Sequence, residues 1–313
     1  MNTPLPTATT PTASTAQLVI AFAIIYVVWG STYLGMAIAI ETMPPFLMAA
    51  TRFIVAGTLL IAVRRALGDA LPSAQHWRSA AIVGSLLFLG GNGAVAWAQH
   101  WVPSGIAALL ITTTPFWMTM VPWVVGSSPR PAWTALVGIA IGLVGVALLV
   151  GAPVGATVTM PLVIGSLTIV MAALSWAIGS LCAKRLPLPS SPWMSSGAQM
   201  VCGALGLGLA GVVSGEATHL EVTTISLRSW LALAYLIFIG AIVGFSAYVY
   251  LLRHSTMTRV STYAFVNPVV AVVLGWLVLG EPLSGHTLFA GMLIIVAVML
   301  ILRPGPPADQ RSG

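Results

Sequence analysis

Ten apolar runs, separated by short polar breaks, account for most of the chain: residues 17–40, 46–63, 79–100, 104–125, 132–151, 162–183, 191–213, 229–252, 259–280 and 285–302. A helix needs about 20 mostly apolar residues to cross the hydrocarbon core of a bilayer. The breaks carry residues that end helices: Pro44-Pro45, Pro103, Pro129, Pro131, Pro187, Pro189, Pro192, Pro282 and Pro304. Trp77, Trp101, Trp133, Trp193 and Trp230 fall near the predicted ends, where amphipathic rings favour the membrane–water interface. The pattern predicts an all-α integral membrane protein with ten transmembrane helices. Residues 1–16 read as a disordered, Thr- and Pro-rich tail, and 304–313 as a second tail. The first tail lacks a basic region and the run after it is too long for a signal peptide, so the first helix is expected to be retained.

Composition agrees. Of 313 residues, 58% are hydrophobic and 6% charged, against about 25% charged in soluble proteins. Little room is left for a soluble domain. The net charge of +6 does not point to nucleic acid, because the basic residues stand singly or in pairs at the ends of apolar runs. With the amino terminus in the cytoplasm, Arg64, Arg65, Arg78, Arg130, Lys184, Arg185, Arg253, Arg259, Arg303 and Arg311 all fall on the cytoplasmic side. Arg228 alone falls outside, together with Glu41, Glu216, Glu221 and Glu281. The positive-inside rule then predicts two cytoplasmic termini. Cys182 and Cys202 both lie in apolar runs and imply neither a disulfide nor a metal site.

The chain also carries an internal repeat. Shifting residues 91–149 by 153 positions brings Gly91 onto Gly244, Pro115 onto Pro268, Trp123 onto Trp276, Pro129 onto Pro282 and Gly138 onto Gly291. Each half holds five runs, an odd number, so the second half must enter the membrane inverted. Loop charges invert with it: Arg64, Arg65 and Arg78 after run 2 answer to Glu216 and Glu221 after run 7, and Arg130 after run 4 to Glu281 after run 9. The predicted units are residues 17–151 and 162–303. Inverted repeats of this kind place a solute site near the bilayer midplane, between the halves.

An ordered set of short motifs resembles the drug/metabolite transporter superfamily, and within it the bacterial EamA-domain exporters of the YedA-like inner-membrane type. The set comprises Trp29-Gly30-Ser31-Thr32-Tyr33, Pro44-Pro45 followed by Arg52-Phe53, Asn92-Gly93, and Pro103-Ser104-Gly105-Ile106-Ala107-Ala108. In the second half it continues with Ser175-Trp176-Ala177, Gly179-Ser180, Tyr263 to Pro268, and Gly280-Glu281. The resemblance spans residues 18 to 303. It implies a ten-helix inverted-repeat fold and efflux of small metabolites, amino acids or drugs, and the direction of transport rests on it alone. Similar sequences tend to carry a glutamate where this chain has Gln99. Ser128 stands where the repeat would place a counterpart of Glu281.

Candidate solute-binding residues follow from the cost of polarity in lipid. Arg52 lies seven residues past the Pro-Pro turn in run 2, and a lipid-facing arginine there costs about 3 kcal/mol on insertion scales. It is expected to anchor a substrate carboxylate, to form an outer gate with Glu41, to snorkel to the headgroups, or to hydrogen-bond a carbonyl of a neighbouring helix. Pro115 and Pro268 each remove a backbone donor, exposing carbonyls at Ile111 and Ala264 beside Thr113, Thr114, Tyr263 and Asn267. Asn92 and Gln99 share a helix face with Trp97 nearby, and that face must point inward to a cavity or a neighbouring helix. Trp29, Tyr33, Trp176 and Tyr248 supply aromatic surface for a cavity or for packing. Glu41, His100 and Glu281 are candidates for coupling or gating, with His286 a further titratable group near the outer side. So few proton carriers favour a weakly coupled or uncoupled carrier.

The G-x-x-x-x-G-K-[ST] phosphate loop is missing, so ATP coupling would need another subunit, and either a gradient supplies the energy or transport is facilitated diffusion. Gly206, Gly208 and Gly211 spell G-x-G-x-x-G inside run 7, a context that cannot form a dinucleotide loop. The expectation is a secondary exporter in the inner membrane, a monomer or homodimer with a small-molecule solute and the lipid bilayer as partners, and with no cofactor, metal or nucleic acid. A membrane-embedded enzyme would need catalytic groups gathered at one depth, and no two acids share a run. A scaffold without transport activity is the other alternative.

Overall fold

The computed structural model describes residues 14–98, 101–102, 110–150, 159–218, 220–279 and 285–303. The candidates Gln99, His100 and Glu281 lie outside these, as do the side chains of Tyr33 and His286. The described residues are helical and contain no strand. Helix α1 spans Thr15–Ala39, α2 Pro45–Ala66 and α3 Ala74–Ala98. In the middle, α4 spans Thr114–Val124, α5 Trp133–Val150, α6 Met160–Arg185 and α7 Pro192–Val213. The last three are α8 Leu227–His254, α9 Tyr263–Leu279 and α10 Gly285–Leu302. Among the described residues, α1, α2, α3, α6, α7 and α8 are long and apolar enough to cross a membrane, and Trp133–Leu148 and Leu288–Leu302 are shorter apolar helices.

Local chemistry sets the helix starts. Ser14 caps α1 reciprocally with Gln17, its Oγ accepting from the Gln17 amide at 3.2 Å while Gln17 Oε1 accepts from the Ser14 amide at 3.0 Å. Ser191 and Ser226 cap α7 and α8. Helix α2 opens on Pro45 without a cap of its own. Its first amides, of Phe46 and Leu47, instead donate to Glu216 Oε1 at 3.2 Å and Oε2 at 3.0 Å, from beyond the end of α7. At the opposite end, the Asp69 carboxylate beyond α2 lies beside Ser191, the cap of α7. Two hydrogen bonds of 2.8 Å from Arg64 hold that carboxyl below its usual range. The acid after α7 therefore fastens the start of α2, its closely packed neighbour, while the acid after α2 lies beside the cap of α7. Between these ends the backbones nearly touch. A Cβ on Gly57 would lie 2.7 Å from Gly197 O, and one on Gly197 would lie 2.9 Å from Gly57 O.

Two predicted helices are interrupted. Run 9 was expected to be continuous from 259, but the chain makes a separate turn at Met257–Val260 before α9. The hydroxyls of Ser261 and Thr262 take the carbonyls of Thr258 and Arg259, at 2.8 and 2.7 Å, in competition with the helix ladder. Run 4 breaks in a turn at Thr112 and Thr113, directly before α4. Helices α3 and α8 are continuous, but each has a π-helical middle, Ser85–Gly93 and Leu236–Val243.

Large apolar side chains such as Leu59, Leu167, Leu209 and Phe289 point outward, as a lipid-facing surface requires. Inside, the main core runs from Ile25 through Phe53, Phe88, Leu207 and Phe245 to Val260. A second core joins α5, α9 and α10 through Ile139, Phe265, Ile294 and Val298.

Candidate solute-binding site

A cavity of about 130 Å³ opens among α1, α2, α3, α6, α8, α9 and the start of α4. Its wall includes Trp29, Thr32, Met36, Arg52, Phe53, Phe88, Asn92, Thr114, Trp176, Gly240, Phe245, Tyr263 and Asn267.

Arg52 is the charged group of this wall and is 6% exposed. Its Nε donates to Leu236 O at 3.1 Å, and its Cζ lies 4.8 Å from the centre of the Phe53 ring. The salt bridges among the described residues are Arg64–Asp69 and Arg228–Glu41. Glu41 therefore meets Arg228 at 3.8 Å on an exposed face, and the expected Glu41–Arg52 gate does not form. Arg52 does not snorkel to a headgroup either. It is held at the cavity, with no carboxylate partner among the described residues.

The π-helical middle of α8 makes this possible. Changing from i+4 to i+5 hydrogen bonding widens the turn and frees backbone groups, an arrangement common at functional sites. Leu236 O, in that segment, receives Arg52, and Gly240 O receives Trp29 Nε1 at 3.2 Å. Gly240 also makes room, since a Cβ there would stand 2.9 Å from Arg52 NH2 and 2.9 Å from Thr32 Cγ2. In α3, Leu86 O receives Ser175 Oγ at 2.8 Å and Leu87 O receives Asn92 Nδ2 at 3.3 Å.

Aromatic rings from both halves of the chain form another part of the wall. Trp29 stands edge-on to Tyr263, with centroids 4.9 Å apart and planes at 86°, and edge-on to Trp176 at 5.8 Å and 83°. Tyr248 packs behind them, 5.1 Å from Trp29 and 5.5 Å from Trp176, fully buried and hydrogen-bonded to Ser180. Asn267 is 2% exposed, and its Oδ1 has no partner among the described residues.

Of the predicted residues, the structure gathers Trp29, Arg52, Asn92, Thr114, Trp176, Tyr263 and Asn267 around one space. Thr113, Pro115, Trp97, Tyr248 and Pro268 are not on its wall. Trp97 packs against Trp101 at 4.6 Å. The carbonyls near Pro115 are taken from within the turn: Thr114 Oγ1 donates to Ile111 O at 2.6 Å and Thr113 Oγ1 to Leu110 O at 2.7 Å. Trp29, Arg52 and Asn92 thus meet carbonyls of the π-helical segments, while Thr114 meets Ile111 O in the turn before α4. Met36, Phe53, Phe88 and Phe245 had no polar signal to mark them, and Thr32 entered the sequence reading only as part of the Trp29–Tyr33 motif. The glycine clusters Gly90-Gly91-Asn92-Gly93 and Gly240/Gly244 were the available clue to the widened helices.

The model of the EamA-like transporter family matches residues 17–151 and 163–303. The chain belongs to the EamA-like transporter family. Across 280 residues, covering 88% of both chains, it is 38% identical to the uncharacterized inner membrane transporter YedA of Escherichia coli (strain K12). It is 28% identical over 294 residues to a probable amino-acid metabolite efflux pump of Salmonella typhimurium (strain LT2), covering 89% of this chain and 92% of that one. A protein crystal structure matches with a TM-score of 0.77 at 19% identity, over 92% of this chain and 97% of its own, which shows a shared fold. As an EamA-like protein the chain is a multi-pass membrane transporter.

Proposed function

We propose that this EamA-like transporter exports small amphipathic solutes bearing a carboxylate, amino acids or related metabolites, by alternating access across the inner membrane. The observation that carries this is Arg52: a buried guanidinium on the wall of a cavity shared with aromatic rings and Asn267, whose oxygen is unpartnered, with no carboxylate of its own among the described residues. An ion so placed is costly unless a counter-charge arrives. A solute carboxylate supplies it, the rings take up the apolar part, and Asn267 Oδ1 accepts from an N–H or O–H. The name of the Salmonella relative points the same way.

Packing supports two inverted five-helix halves. Exchanging α1–α5 with α6–α10 turns the pair α1·α9 into α6·α4, α1·α8 into α6·α3 and α2·α8 into α7·α3, while α2·α7 and α5·α10 map onto themselves. Every one of these pairs is in contact. A pseudo-two-fold frame around a central cavity suits rocking of one half against the other. On this reading both termini, with the end that bears Arg64, Lys184 and Arg253, face the cytoplasm.

The test is uptake of labelled amino acids and their carboxamide analogues into proteoliposomes, with and without a pH gradient. Uptake of the acids, with the carboxamides at least tenfold poorer, supports the assignment. Equal handling of acid and amide removes the role given to Arg52, and indifference to the gradient identifies an uncoupled carrier.

A further inference from the structure

A second cavity, of about 320 Å³, lies well away from the first, between the end of α6, the first turns of α7 and the end of α8. Lys184 and Arg253 stand exposed at its mouth, Ser195 and Gln199 are fully buried in its wall, and Leu188 and Leu252 give it an apolar side.

The polar groups are incompletely used. Lys184 Nζ donates to the carbonyls of Leu252 and Ser255, and the Arg253 guanidinium to those of Pro189 and Ser190. Carbonyls are dipoles and leave both positive charges uncompensated. Asp69, beside Ser191, is already held by Arg64. Deeper in, Gln199 bonds Ser195 Oγ at 2.9 Å with one end of its amide, while the other end meets no partner. A buried amide group left so is unfavourable. A serine hydroxyl both donates and accepts, so the amide can turn end for end, keep Ser195, and present N–H to the cavity.

We infer that this cleft binds a phosphate group, with Lys184 and Arg253 supplying charge at the mouth and Gln199 a hydrogen bond from the wall. It sits at the helix ends, and the half-buried Leu188 offers apolar surface beside it. Basic pockets between transmembrane helices hold anionic headgroups in this way. A membrane phospholipid and free phosphate present the same chemistry to these residues.

Thermal unfolding of the purified full chain in a neutral detergent tests this, titrated separately with dihexanoyl phosphatidylglycerol, dihexanoyl phosphatidylcholine and inorganic phosphate. Each variant is compared with its own unliganded midpoint. Phosphatidylglycerol should protect the wild type, and phosphatidylcholine, whose choline cancels the charge, should protect it far less. Each basic group near such a headgroup is worth about fivefold in affinity, so the half-saturating concentration should rise about 25-fold in Lys184→Gln/Arg253→Gln. Should the double variant fail to fold, Gln199→Leu, which keeps both cations, should still raise it about fivefold. Protection by inorganic phosphate with the same variant dependence identifies the soluble source, and its failure beside successful phosphatidylglycerol identifies the lipid. Equal protection by the two lipids, or phosphatidylglycerol protection that Gln199→Leu leaves unchanged, would overturn the inference.

Discussion

In α3 the π-helical carbonyls go to Ser175 and Asn92, two neutral side chains; in α8 they go to Arg52 and Trp29. The two segments overlap when one half of the chain is shifted by 153 residues onto the other. The backbone device is therefore repeated while the chemistry attached to it is not. Only one copy holds a cation, and a solute with one acidic end needs only one. A repeated frame supplies two cradles, and under the proposed function the divergence of a few side chains gives the α8 copy the contact with the solute.

Several substitutions would break or sharpen this contrast. The largest effect is expected for Arg52→Gln. A hydrogen bond to a charged group is worth about 1.5–3 kcal/mol, so uptake of acidic solutes in proteoliposomes should fall roughly 10- to 100-fold. Asn92→Ala in the other cradle should cost less than about tenfold. If both variants lose transport equally, the asymmetry assigned to the two segments is wrong. Next come the glycines that make space. Gly240→Ala puts a methyl 2.9 Å from the Arg52 guanidinium, and Gly90→Ala puts one 2.4 Å from Ser175 Oγ. Overpacking costs about 1–3 kcal/mol. Ser175 can rotate away from its methyl whereas buried Arg52 cannot leave the site, so Gly240→Ala should lower the unfolding midpoint and the uptake more than Gly90→Ala.

Smaller effects belong to the α2–α7 fastenings. Glu216→Gln should cost about 1 kcal/mol through the weakened cap, read as a lower midpoint with substrate preference unchanged. The smallest effect is in the pH profile. Because Arg64 holds the Asp69 carboxyl below its usual value, its contribution to stability is complete above the unfolded pKa and is lost as pH falls through the folded one. The midpoint of wild type should therefore decline across that acidic window slightly more than that of Asp69→Asn. Identical profiles would show that the Arg64–Asp69 pair adds nothing measurable.

The helices were legible because lipid demands long apolar runs, and prolines and interfacial tryptophans mark where those runs stop. Arg52 and Asn267 were legible for the complementary reason: polar groups in such runs must turn inward. Trp29, Asn92, Thr114, Trp176 and Tyr263 could be read as well, but the aliphatic and phenylalanine part of the cavity wall could not. A membrane helix is apolar on all sides, so Phe88 or Met36 facing a cavity reads the same as Leu59 facing lipid. The π-helical turns were hidden as well, because Pro115 and Pro268 drew the expectation of broken backbone to α4 and α9. The pairing of Glu41 was misjudged because nearness along the chain suggested Arg52, whereas the fold brings Arg228, from the other half, beside it.

The Glu216 carboxylate that closes the start of α2 has a consequence for assembly. During synthesis α2 emerges about 170 residues before its acceptor, as the separation of Phe46 from Glu216 shows. Until then its leading amides have no protein partner of their own, and a first half made alone would begin α2 with a frayed turn. The first turn of α2, in the early half, is thus completed only when the late half has been made.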